Sequence, residues 1–162
     1  MDITKEEKID LIASGRTDRG VHAFAQVANF KIESERLPIE KFAIALNSKL
    51  KNSIRIKSAE EVDERFHSRY SVHSKTYRYV INNSEFGTAI YREFEYNFPM
   101  KLDVAKMQEA VRYFIGEHDF KGFKASGTSS KSSVRTIYDA KVYQDGDRVN
   151  IELTGNGFLY NM

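Results

Sequence analysis

Thr136-Ile137-Tyr138-Asp139-Ala140-Lys141-Val142-Tyr143, then Asp145-Gly146-Asp147, then Arg148-Val149-Asn150-Ile151-Glu152-Leu153: this stretch reads as a β-hairpin with its turn at Gly146. Working upstream, Thr76 to Asn82 predicts a strand. Tyr77, Tyr79 and Ile81 share one face of it, and Arg78 and Val80 take the other. Between them Asp103 predicts an N-cap, with Val104, Met107, Val111 and Phe114 on one helical stripe and Gly116 as the C′ residue. Pro38 opens a second helix at its first turn, with Ile39, Phe42, Leu46 and Leu50 on one stripe. Shorter strands are expected over Asp10–Ala13, Phe24–Ile32 and Ser53–Ala59, the last with Ile54 and Ile56 on one face. The serine-rich stretch Ala125–Ser133 predicts a mobile loop. This order of elements predicts an α+β fold, with a mixed, largely antiparallel sheet and helices packed on one face.

The chain has 162 residues, a length that fits one domain with a real core. With 41% hydrophobic and 30% charged residues it reads as globular and not as disordered. It has no cysteine, which excludes disulfide frameworks, thiolate catalysis and cysteine-based zinc sites. No apolar run approaches the roughly 18 residues needed to span a bilayer, so no membrane partner is expected. The charged start, Met1-Asp2-Ile3-Thr4-Lys5-Glu6-Glu7, lacks the apolar centre of a signal peptide, and a cytoplasmic location is expected. His67 and His118 are too scattered to form a metal site with an acid at recognisable spacing, so no metal is expected.

The net charge is only +2, but its distribution is uneven. Arg65 to Ser84 holds no acid, and carries Arg65, Arg69, Lys75 and Arg78 among aromatic residues. Phe120 to Tyr138 repeats the pattern with Lys121, Lys124, Lys131 and Arg135. Two basic, aromatic-interleaved stretches suit a nucleic-acid surface, and equally suit two solvated faces.

Gly15-Arg16-Thr17-Asp18-Arg19-Gly20-Val21-His22-Ala23 is the most informative segment. It sets one carboxylate between two guanidiniums on a glycine-flanked turn. Positive neighbours favour the ionised form of a carboxylate. Such a group can attack or deprotonate a polyanionic substrate that the arginines attract. The same residues also describe an ordinary turn, with Asp18 bonded to local amides and both arginines solvated.

The run from Gly15 to Ala23, followed by Gln26-Val27-Ala28 and Phe30, resembles the signature of the TruA family of pseudouridine synthases. Phe66-His67-Ser68-Arg69-Tyr70-Ser71 and Lys75-Thr76-Tyr77-Arg78-Tyr79 are similar to that family's second block. The helix ending at Gly116, with His118-Asp119-Phe120 and Phe123, resembles its third. Gly155-Asn156-Gly157-Phe158-Leu159-Tyr160-Asn161-Met162 resembles the start of its last. The likeness covers essentially the whole chain, in family order.

The resemblance implies a cofactor-free isomerase acting on uridine in the tRNA anticodon stem-loop, at positions 38 to 40 in tRNA numbering. The N1–C1′ bond breaks, the uracil turns in the site, and C5 rejoins the sugar. Asp18 matches the family's catalytic aspartate. Whether it attacks the sugar, attacks the base or deprotonates the ribose stays open. Tyr77 matches the tyrosine that packs on the target base, although a strand tyrosine beside Tyr79 and Ile81 also suits a core. Arg16 matches an arginine that helps the nucleotide leave its stack, a step that costs a few kcal/mol. Leu159 matches a pocket-lining apolar residue. Arg19, Arg69, Arg78, Lys121, Lys124 and Lys131 are candidate RNA-backbone contacts, which give affinity without sequence choice. Homodimers are the implied assembly.

Two departures from the family pattern stand out. Members usually begin with a strand and an aromatic segment carrying Asp-Gly and Gly-Trp-Gln, and this chain has no tryptophan. The last block usually continues into a helix beginning Val-Arg, whose arginine pairs with the aspartate. Residues 1–162 are therefore expected to be a single catalytic region, an incomplete pseudouridine synthase fold without its usual N-terminal segment and C-terminal helix. Such a region would bind RNA weakly or not catalyse alone. A non-catalytic RNA-binding fragment is the alternative reading. A carboxylate hydrolase is a third, weakened because glycosidic hydrolysis usually needs a carboxylate pair and only Glu117 and Asp119 offer a partner.

Overall fold

In chain order the elements are β1 (Ile12–Ala13), β2 (Ala28–Asn29), α1 (Ile39–Asn47), β3 (Lys75–Asn82), β4 (Tyr96–Asn97), α2 (Val104–Val111), β5 (Gly116–Asp119), β6 (Val134–Asp145) and β7 (Arg148–Gly155). Single 3₁₀ turns cover Arg112–Phe114 and Lys121–Phe123. This computed structural model describes residues 9–32, 37–125 and 132–162. Most of the expected serine-rich loop, and Lys131 with it, lies outside the described residues. Those residues pack as two compact units: one up to Thr17 and from Ala23 to Ser71, the other Asp18–His22 with the chain from Val72 onward. Among them no helix is long and apolar enough to cross a membrane.

The hairpin is the centre of the larger unit. β6 and β7 turn through Gly146, whose φ of +58° is open to glycine at no steric cost and suits the first central position of a II′ turn. The sheet order is β4-β3-β7-β6-β5, antiparallel throughout except for the parallel β3–β4 pair. The fold is therefore α+β, with a mixed and largely antiparallel sheet. Register places Ile81, Tyr79 and Tyr77 opposite Val149, Ile151 and Leu153. Ala140 and Val142 face Leu153 and Ile151 from the other side. These residues form one apolar face.

Helix α2 lies on that face at β6. The Asp103 side chain accepts from the Lys106 amide at 3.0 Å, the expected N-cap. Val111 is buried, and Val104, Met107 and Phe114 pack against the same cluster, so the stripe falls where its spacing predicted. Gln108 accepts the Val142 amide at 2.6 Å, where β6 has run beyond β5 and would otherwise leave that donor unpaired. Gly116 follows the 3₁₀ turn with φ +109° and begins β5. The core comprises Val111, Phe120, Ile137, Ala140, Val142, Val149 and Leu159. Burial of each larger aliphatic side chain contributes about 1.5–3 kcal/mol.

Gly155 closes β7 against β6. A Cβ there would stand 2.7 Å from the Thr136 carbonyl oxygen, so only glycine allows this approach. Asn156 then pairs with both backbone groups of Thr136: its amide donates at 3.0 Å and its Oδ1 accepts at 3.1 Å. The ladder slips between Ile137 and Asp139, which bulges Tyr138.

The smaller unit has less regular structure. β1 and β2 pair antiparallel over two residues each, so the expected Phe24–Ile32 strand contracts to Ala28–Asn29 and Phe24 is exposed. Pro38 caps α1, and Phe42 is buried with its ring 6.0 Å from Phe30. Leu50 lies beyond the end of α1. The strand expected over Ser53–Ala59 does not form. The Asn47 side chain instead takes both backbone groups of Ile56, accepting its N–H at 2.8 Å and donating to its C=O at 2.9 Å. One amide side chain thus does locally what a neighbouring strand would have done, and Ile54 is left exposed.

Candidate active site

The motif loop is held from both ends. On its N-terminal side Ser14 donates its amide to Val27 O at 2.8 Å and its hydroxyl to Gln26 Oε1 at 3.0 Å. Gln26 Nε2 donates to Gly15 O. The Gln26-Val27 pair therefore clamps Ser14-Gly15, a physical reason for those residue types at that spacing. Asp18 to Gly20 then turn: Asp18 O accepts the Val21 amide at 3.0 Å, and Gly20 adopts φ +83°. Asp18 and Arg19 are exposed on this turn. The His22 ring packs on Phe94, centroids 4.5 Å apart, within the larger unit. Arg16 is exposed and belongs to the smaller unit.

Tyr77 and Leu159 lie in the same unit as Asp18. Tyr77 stands on β3 with its ring edge-on to Phe158 at 4.8 Å, and 42% of the residue is exposed. It is thus braced by Phe158 and partly open to solvent. Leu159 is buried in the core cluster, with its carbonyl accepting the Met162 amide at 3.1 Å.

The basic residues divide by setting. Arg69 and Lys121 are exposed, and Lys124 is half-buried at the end of a 3₁₀ turn. The Lys121 amide donates to Asp119, whose carboxyl the Ser133 hydroxyl and that amide hold below its usual range. Arg78 is engaged on the polar face of the sheet, where its Nε lies 2.6 Å from Glu152. Lys141 at 3.1 Å and the Tyr143 hydroxyl at 2.8 Å complete that cluster. Burial pushes Glu152 up, and the three donors more than reverse this, leaving it below the usual glutamate range. A second buried carboxylate, Glu95, takes Arg148 and Asn82 at 2.6 and 2.7 Å. Burial raises it too, and its donors bring it down. Arg148 also lies over the Tyr91 ring at 4.6 Å. Neither carboxylate stood out in the sequence. The available signal was an acid in mid-strand opposite two cations, since Glu152 faces Arg78 on β3 and Lys141 on β6.

Ser68 is buried in the smaller unit. Its hydroxyl donates to Ile12 O at 2.6 Å and its amide to Asn29 Oδ1 at 2.9 Å. This ties Phe66–Ser71 to the β1–β2 hairpin. Among the described residues no group of three His, Asp or Glu side chains is arranged to hold a metal. A shallow cavity lined by Lys101, Leu102, Asp103, Val104 and Gln144 contains none of the motif residues.

Within the larger unit the structure thus brings together an exposed aspartate on a glycine turn, a partly exposed tyrosine on β3 and the buried Leu159, on an α+β scaffold. A family model described as tRNA pseudouridine synthase matches residues 1–71 and 110–162. tRNA pseudouridine synthase A of Caldicellulosiruptor saccharolyticus is 51% identical over 156 residues, which is 96% of this chain and 64% of the relative. The enzyme of that name from Acetivibrio thermocellus is 49% identical over the same shares. tRNA pseudouridine synthase A 2 of Clostridium perfringens is 48% identical over 99% of this chain and 65% of its own length. The chain belongs to the tRNA pseudouridine synthase family, and it spans 64% of the length of the first two relatives.

Proposed function

We propose that this chain is the catalytic region of a tRNA pseudouridine synthase that isomerises uridine in the anticodon stem-loop, at positions 38 to 40. Asp18 is the catalytic group. Tyr77 stacks on the target uracil, and an aromatic face holds a base in any orientation, which a rotating uracil requires. Leu159 lines the base pocket, and Arg16 occupies the space the nucleotide vacates. Arg19, Arg69, Arg78, Lys121, Lys124 and Lys131 contact the RNA backbone. The enzyme works as a cytoplasmic homodimer without a cofactor.

The observation that carries this reading is that Asp18 clusters with the unit bearing Tyr77 and Leu159, although the chain on both sides of Asp18–His22 clusters with the other. Asp18 is exposed there on a turn closed by the Val21 amide. The test is to incubate tRNA with the chain and with a form extended at both ends to the length of the relatives, each with and without Asp18→Asn. Pseudouridines are then mapped. Conversion should be lost in Asp18→Asn while tRNA binding stays within about twofold. Full activity in that variant would end the proposal. Salt-sensitive binding with no modified uridine in any form would favour the RNA-binding alternative.

A further inference from the structure

Residues 72–109 lie between the two segments that the family model matches, and Phe94 within them packs against the motif loop. Phe94 packs its ring on His22 at 4.5 Å, tilted by 41°. The segment around Phe94 is pinned from several directions. Phe94 and Glu95 both donate their amides to Tyr91 O, at 2.8 and 3.1 Å. The next residue, Glu95, has a side chain only 4% exposed and bonded to Arg148 of β7 and Asn82 of β3. Asn82 is itself buried, and accepts the Ser84 amide and hydroxyl. A continuous run of contacts therefore leads from the central strands through Glu95 and Phe94 to His22. From His22 the chain passes directly to Val21, whose amide closes the turn on Asp18.

We infer that Phe94 is a positioning residue, whose ring holds the Asp18–His22 turn on the five-stranded unit and so fixes where the Asp18 carboxylate stands. The inference rests on the proposed catalytic role of Asp18. Phe86, in the same segment, is 88% exposed and serves as a control for any general effect of removing an aromatic ring there. A carboxylate displaced by about 1 Å can cost on the order of a hundredfold in rate, whereas substrate binding elsewhere is untouched.

The test compares Phe94→Ala, Phe94→Tyr and Phe86→Ala in whichever form of the chain converts uridine, with amide exchange measured on the 162-residue chain. Phe94→Ala should lower kcat about 10- to 100-fold with KM within about twofold. It should speed amide exchange at residues 18–22 and shift the His22 ring protons as the phenyl ring current is lost. Phe94→Tyr should restore all three, and Phe86→Ala should change none. A KM rise at constant kcat would overturn the inference by making Phe94 an RNA contact. Wild-type kcat and exchange in Phe94→Ala would overturn it by making the contact incidental. If no form converts uridine, the catalytic reading fails separately. The exchange and His22 shifts then still decide whether Phe94 holds the turn.

Discussion

The two units are built on different physics. The larger one buries a contiguous apolar cluster under α2, with Ile137 and Val149 at 1% and 0% exposure. The smaller one has Phe42 as its buried apolar residue among the described residues. It relies on side chains that clamp backbone: Ser68 on Ile12, Asn29 on Ser68, Asn47 on Ile56 and Gln26 on Gly15. An apolar cluster is shared by every residue in it, so it fails as a whole. Polar clamps are pairwise and fail one at a time. The segment Asp18–His22 belongs to the larger unit.

The strongest way to break this comparison is Ile137→Ala. It should cost about 3 kcal/mol, the usual loss for a fully buried isoleucine truncated to alanine. Amide exchange should then rise together across β3, β6 and β7. A rise confined to β6 would show that the cluster is not cooperative.

Acid offers an intermediate perturbation of the larger unit. Glu95 and Glu152 are both held below their ordinary range in the folded chain. Their contribution is whole above the unfolded glutamate value of about 4.3, and is lost as pH falls through the folded values. The urea midpoint of the larger unit should be level from pH 7 to about 5 and then drop. Glu152→Gln should be less stable at pH 7 and show a shallower acid limb. An unchanged limb would mean that the cluster around Glu152 contributes nothing to folding.

The smallest effect sharpens the contrast. Ser68→Ala leaves the Ile12 carbonyl without its donor and should cost about 1 kcal/mol. Faster exchange should appear at β1 and β2 while β6 and β7 keep their rates. Equal acceleration in both units would collapse the distinction between them.

The fold was legible wherever the signal was local. The Gly146 turn, the Asp103 cap and the Val104–Phe114 stripe each depend on residues within a few positions of one another. The structure places each where the sequence predicted. The expected Ser53–Ala59 strand failed because alternation cannot report whether a partner strand exists, and Asn47 supplied the hydrogen bonds instead. The short β4 and β5 were missed because two to four residues carry too little pattern. At the candidate site the motif named Asp18 and Tyr77, while Phe94, Glu95 and Glu152 went unnoticed.

By itself the sequence determined the charged turn around Asp18, the strand that carries Tyr77, and the family to which both are similar. Only the tertiary structure decided that His22 rests on Phe94 and that Arg78 is drawn to Glu152, a residue 74 positions away. The reason is physical. Turns, caps and stripes follow from backbone sterics and spacing along one segment. A contact between distant side chains exists only after sheet register has brought them within a few ångströms.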